Sequence, residues 1–131
     1  MAASARTGTR SRAAERLARV AQRVAAWEGA RRLRVDLTLL DARAMRRLNR
    51  RATGRRGVTD VIAYAMPQPA GSLLGDVYIC PSIDGDEELV RLAVHGTLHV
   101  LGYDHPEGAG RTRSAMWRRQ ERYVRRLLRR A

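Results

Sequence analysis

The chain has 131 residues, a mass of 14.7 kDa and one cysteine, Cys80, so it fits a single domain, 1–131, and excludes an internal disulfide. Its 26 basic residues outnumber 13 acidic ones for a formal charge of +13, a balance that favours polyanions such as RNA or DNA as partners. No stretch of about 18 uncharged apolar residues is present, so a membrane-spanning helix is excluded and the expected location is soluble and cytoplasmic.

Every basic residue is arginine. Genome base composition can account for choosing arginine over lysine, but not for a twofold excess of bases over acids. The opening MAASARTGTRSRAAER lacks the apolar stretch of a secretory signal and has a faint likeness to an organellar transit peptide; residues 1–11 are read as a disordered basic extension.

In chain order, Ala14, Leu17, Ala18, Ala21, Val24 and Ala25 recur at helical spacing opposite Arg16, Arg19 and Arg23, which predicts an amphipathic helix ending near Gly29. Val35, Leu37 and Leu39 alternate with Asp36 and Thr38, the pattern of a strand. Asp41 suits the N-cap of a short helix carrying Met45 and Leu48, and NRRATGRRG reads as a basic, glycine-punctuated loop. TDVIAYAM and LLGDVYIC are two further strands joined by the turn-rich PQPAGS, which predicts an antiparallel pair closed by Pro81. From an N-cap at Asp86, ELVRLAVHGTLHVL has helical periodicity and stops at Gly102. A terminal helix places Met116, Trp117, Tyr123, Val124, Leu127 and Leu128 on one side and mostly arginine on the other. Without a repeat or linker, the fold class is α+β: a small mixed sheet packed with helices.

All three histidines fall within HGTLHVLGYDH, His95 to His105. His95 and His99, four apart on a predicted helix, share a face about 6 Å apart along the axis. Gly102 allows the chain to reverse with positive φ, so that His105 returns as a third donor, which puts a metal site at the end of a central helix. Three neutral imidazoles suit one zinc ion and leave its fourth tetrahedral position open, the arrangement of a catalytic site. His95, His99, Gly102 and His105 reproduce the spacing HExxHxxGxxH of metzincin peptidases, but the signature's glutamate is Gly96 here. A peptidase mechanism thereby loses its base. RNA avoids the problem, since its ribose 2′-hydroxyl is an internal nucleophile. Gly96 also suits close packing of helix against strand. Asp104 is a candidate to orient an imidazole as a metal-site supporter, and Glu107 a candidate base, with solvated loop as the alternative for both.

HGTLHVLGYDH resembles the HGxLHLLGYDH signature of the YbeY family, metal-dependent endoribonucleases of ribosomal RNA maturation. LNRRATGRRGVTDVIAYAMP resembles that family's LNxxYRGxDxPTDVLSFP segment, and LLGDVYIC its LGDIxI strand, in the same order. The resemblance covers about residues 35 to 105. It implies a zinc-dependent endoribonuclease preferring single strands, acting in ribosomal RNA maturation and ribosome quality control, with RNA and the small ribosomal subunit as partners. By the same resemblance His95, His99 and His105 are the ligands, and Thr59, Asp60, Gly75 and Asp76 match framework positions near the cleft.

Three positions depart from the family. The arginine of the YRG segment aligns with Thr53, and Ala52 and Arg56 stand where the family has tyrosine and aspartate. Arg50, Arg51 or Arg55 is a candidate to supply the positive charge from a shifted position, with a solvated turn as the alternative. The stretch from Pro81 to Glu88 is shorter than the family's connecting segment. Two rivals remain: a non-catalytic RNA- or ribosome-binding factor with a structural zinc, and a residual zinc hydrolase of peptidase type. Cys80, Trp117 and Tyr123 read as packed residues, and the terminal arginines as either RNA contacts or a solvated face.

Overall fold

The structure, a computed structural model, describes residues 3–5, 11–57, 59–81, 85–106 and 108–129. Among the described residues, four strands and four α-helices follow in the order β1 (Ala3–Ala5), α1 (Arg12–Trp27), β2 (Leu33–Leu39), α2 (Ala42–Thr53), β3 (Val61–Pro67), β4 (Leu73–Ile79), α3 (Asp86–Val100) and α4 (Ala115–Arg129). The sheet order is β1-β2-β4-β3. β1 and β4 run parallel to β2, and β3 pairs antiparallel with β4, so the sheet is mixed as the alternating patterns predict. The expected disordered extension over 1–11 does not hold at Ala3–Ala5, whose backbone pairs with Val35–Leu37 of β2. Small residues with free backbone donors and acceptors can extend a sheet edge without an apolar pattern.

Strand alternation divides the core. Val35, Leu37, Val77 and Ile79 face a layer made by α1 and α3, with Val124 and Leu127 of α4 packed into the same cluster. On the other face, Met45 of α2 packs with Ile62 and Cys80, beside Tyr64 and Tyr78. Cys80 is therefore a packed thiol, which burial and the nearby Asp41 and Asp60 push above its ordinary pKa.

α1 begins at Ser11, whose Oγ accepts from Ala14 N–H at 3.0 Å. α2 begins at Asp41 in the same way, 2.8 Å from Ala44 N–H. Contrary to the expected loop from Asn49 onward, α2 continues to Thr53 and ends where Gly54 takes φ 73°. Arginine is a good helix former, and Arg50 and Arg51 lie in the last turn, where positive charge complements the helix dipole. The N-cap of α3 is Gly85 rather than Asp86; Asp86, Glu87 and Glu88 occupy the first turn instead, where their charge meets the positive helix end.

α3 is buried over Leu92–Leu98 without a break, because the sheet, α1 and α4 enclose it. Gly96 makes that enclosure possible. A Cβ there would lie 2.6 Å from Val77 Cγ1 and 3.2 Å from Val61 Cγ2. The close-packing reading of Gly96 is the one the fold bears out, and a larger side chain at this position would force Val77 to shift. Among the described residues, no helix is long and apolar enough to cross a membrane.

Candidate metal centre

The last turn of α3 and the bend after it build the site. His95 and His99 share one face of the helix, which caps at Leu101. Gly102 then turns at φ 100°, with its N–H bonded to His99 O at 3.0 Å and Tyr103 N–H to Leu98 O at 3.0 Å. This reversal carries His105 back toward the helix. His99 Nε2 lies 3.1 Å, and His105 Nε2 3.3 Å, from His95 Nε2. A tetrahedral ion with Zn–N of about 2.0–2.1 Å requires N···N separations of about 3.3 Å. The three donors lie within 4.8 Å of one another, and the group can hold one metal ion.

The far side of each ring fixes which nitrogen is free. His95 Nδ1 meets Gln120 Oε1 at 2.6 Å, His99 Nδ1 the carbonyl of Tyr103 at 3.0 Å, and His105 Nδ1 the carbonyl of Pro106 at 2.9 Å. Each of these acceptors takes a proton from Nδ1, so the three Nε2 lone pairs face one another. Lone pairs so placed repel unless a cation lies between them. Burial drives His95 down to about 4 against the opposing Gln120 bond, and burial with the neighbouring His105 lowers His99. Both rings are thus neutral ligands at physiological pH.

A relay on α4 holds the innermost ring. Gln120 is fully buried and donates its Nε2 to Glu121 Oε2 at 3.0 Å, which leaves Oε1 aimed at His95. Arg91 of α3 grips Glu121 with Nε and Nη2 at 2.8 and 2.9 Å. Tyr103 anchors the bend: its hydroxyl donates to Glu28 Oε1 at 2.7 Å, and Glu28 also accepts from Tyr123 and from Arg119 at 2.9 Å. Burial alone would raise the Glu28 carboxyl, but hydrogen bonds from Tyr123, Tyr103 and Arg119 outweigh it and hold it below its usual range.

The rings open onto a cavity of about 330 Å³ lined also by Thr59, Asp60, Val61, Ala63, Gly108 and Arg111. Of the framework positions implied by resemblance, Thr59 and Asp60 reach this cleft. Gly75 instead lies under Val100, and Asp76 falls on the opposite sheet face, in register with Asp36 and Tyr64. Asp104 accepts from the backbone N–H of His105 at 2.8 Å, so its hydrogen bond steadies the bend instead of a ring. Glu107 and residues 82–84, within the shortened stretch after Pro81, lie outside the described residues.

The arginine candidates are elsewhere. Thr53 is consumed locally, its hydroxyl donating to Asn49 O at 2.8 Å and accepting from Arg55 N–H at 3.1 Å. Arg50 and Arg51 line a separate groove of about 690 Å³ with Arg43, Arg46, Arg47 and Arg56, and Arg55 is exposed beside it. Sequence reasoning missed two residues of the site, Gln120 behind His95 and Arg111 in the cleft. Gln120 had a signal, since it interrupts the apolar stripe of Met116, Val124 and Leu127; Arg111 had none among so many arginines. Tyr123 packs as expected, stacked on Trp27 with centroids 5.5 Å apart. Trp117, expected in the core, is half-buried and lines a second cavity shared by Asp60, His95, Arg111 and Gln120. Several terminal arginines serve structure: Arg119 pairs with Glu28, and Arg126 lies 3.9 Å over the Trp27 ring.

A mixed sheet crossed by one enclosed helix, with three imidazoles converging at its end, defines an α+β protein with a site able to hold one metal ion. The family model described as Endoribonuclease YbeY matches residues 3–128, and the chain belongs to that family. Proteins named Endoribonuclease YbeY from Rhodococcus opacus and Mycobacterium tuberculosis are 36% and 35% identical over 94 residues, 56% of this chain and 52–53% of theirs. The chain thus spans about half the length of the curated relatives it matches. A protein of Thermotoga maritima solved in solution aligns at a TM-score of 0.62 with 25% identity, covering 95% of this chain and 87% of that one.

Proposed function

We propose that the chain is a zinc-dependent endoribonuclease that cleaves single-stranded segments of ribosomal RNA during maturation and quality control of the small ribosomal subunit, in the cytoplasm. The observation that carries the reading is the convergence of three Nε2 atoms whose rings are each fixed through Nδ1. An all-nitrogen donor set with an open side suits zinc better than magnesium or calcium, which select oxygen ligands. The Endoribonuclease YbeY name of the family and its relatives supplies the reaction class.

His95, His99 and His105 would hold the zinc, which when bound would supply Lewis acidity toward the phosphoryl group and activation of water near neutral pH. The chain's own residues do the rest. Gln120 and the carbonyls of Tyr103 and Pro106 keep the rings in one tautomer. Thr59, Asp60, Val61 and Ala63 form the wall against which a nucleotide is positioned. The arginines that line the α2 groove offer positive charge to the phosphates of a polyanion outside the metal cleft.

A peptidase reading fails at Gly96, where contact with Val77 leaves no space for a base. The non-catalytic, RNA-binding reading draws on Thr53, which is neutral and spent on Asn49. Cleavage of a single-stranded RNA with and without chelator, beside His99→Ala, with bound metal quantified in each preparation, separates the two. Metal-dependent cleavage lost in His99→Ala supports the nuclease; RNA binding without cleavage by fully metallated protein supports the binding factor.

A further inference from the structure

Several arginines are paired within the fold. Arg91 has Glu121, Arg119 has Glu28, and Arg16 has Asp86. Arg111 differs. It belongs to a short 3-10 turn, Gly108–Arg113, and lines the cavity onto which the three imidazoles open. Its Nε is buried and has no hydrogen-bond partner. Among the described residues no carboxylate pairs with its guanidinium, and the Trp117 ring centroid lies 6.0 Å from Cζ.

A guanidinium at the wall of a cavity, with no carboxylate among the described residues to neutralise it, is a ready partner for an anion. The two terminal nitrogens of its guanidinium form an edge that matches two oxygens of a phosphate, a geometry that a lysine ammonium cannot reproduce. Arg111 is the one arginine among the described residues of the cleft, while the position matching the family's arginine, Thr53, is neutral and tied to Asn49. We propose that Arg111 is the phosphate-binding cation of this cleft, holding the non-bridging oxygens of a phosphodiester against the three-histidine site. The assignment of an RNA phosphodiester rests on the nuclease reading; the assignment of a phosphate group does not.

The test uses the zinc-loaded full chain with two probes, inorganic phosphate followed by calorimetry and a single-stranded RNA followed by cleavage. Arg111→Gln and Arg111→Lys are compared with wild type and with Arg12→Gln, an exposed control on α1. Loss of a charge-assisted bond predicts that Arg111→Gln weakens phosphate binding roughly 10- to 100-fold and lowers kcat/KM on RNA by a similar factor. Its metal content should match wild type, Arg111→Lys should fall between, and Arg12→Gln should behave as wild type. Equal phosphate affinity in wild type and Arg111→Gln overturns the proposal, whether or not the unfolding midpoint moves; so does a zinc-loaded wild type that binds no phosphate. Wild type that binds phosphate but leaves RNA intact overturns the nuclease reading alone, and the Arg111→Gln comparison on phosphate still decides the role of Arg111.

Discussion

Nδ1 of His95 lies 2.6 Å from Oε1 of Gln120, a fully buried amide on a separate helix whose other end is held by Glu121. The contact couples the packing of α4 to the orientation of a ring on α3. Ring partners of this kind typically contribute 10- to 100-fold to metal affinity. Gln120→Leu fills similar volume but leaves Nδ1 unpaired, so competition with a chelator should show metal affinity reduced by roughly that factor. An unchanged affinity would mean that the ring is held by packing alone.

Gly96→Ala sets two effects against each other. Alanine improves helix propensity by about 1 kcal/mol. The added Cβ would stand 2.6 Å from Val77 Cγ1, and a branched valine in a packed core yields poorly. Overpacking of this kind costs about 1–3 kcal/mol. The clash should win, and urea unfolding should show a net loss of up to about 2 kcal/mol; a stabilised variant would refute the close contact of α3 with β4.

Glu28 predicts a pH dependence with a definite sign. Its carboxyl is held below the ordinary value of 4.5, so the stabilisation it gives is complete above that value and disappears as pH falls through the depressed folded value. Glu28→Gln should cost about 1–2 kcal/mol near neutral pH through weakened bonds from Tyr103, Tyr123 and Arg119. The difference from wild type should shrink in acid. Unfolding curves in which it grows would contradict the assignment.

The groove on α2 should act through charge. Each phosphate contact to single-stranded RNA contributes about −0.7 to the slope of log affinity against log salt. Arg47→Gln combined with Arg50→Gln should therefore flatten that slope by about 1.4, measured by fluorescence anisotropy at several salt concentrations. No change would leave the groove as a solvated face.

Much of this was legible in the sequence because the relevant signals are local. The spacing of His95, His99, Gly102 and His105 sits on one helix and one bend, and the structure brings all three rings together. The strand pair β3–β4 followed from alternation around PQPAGS. What escaped depends on tertiary packing or on competition between weak preferences. The extension of α2 to Thr53 reflects arginine's helix propensity prevailing over a glycine-punctuated, loop-like composition. Pairing of Ala3–Ala5 with β2 is set by backbone bonds that carry no side-chain pattern. Gln120 supports His95 from 25 residues away, and Arg111 reaches the cleft through a bend whose course no periodicity encodes.

The central claim is that His95, His99 and His105 grip one ion through Nε2. X-ray absorption on the purified chain, paired with elemental analysis, tests it most directly. The account predicts one zinc per chain, with nitrogen scatterers at about 2.0–2.1 Å and no sulfur, and loss of that signal in His99→Ala. Metal-free wild type after zinc loading, or a sulfur shell implicating Cys80, would contradict it.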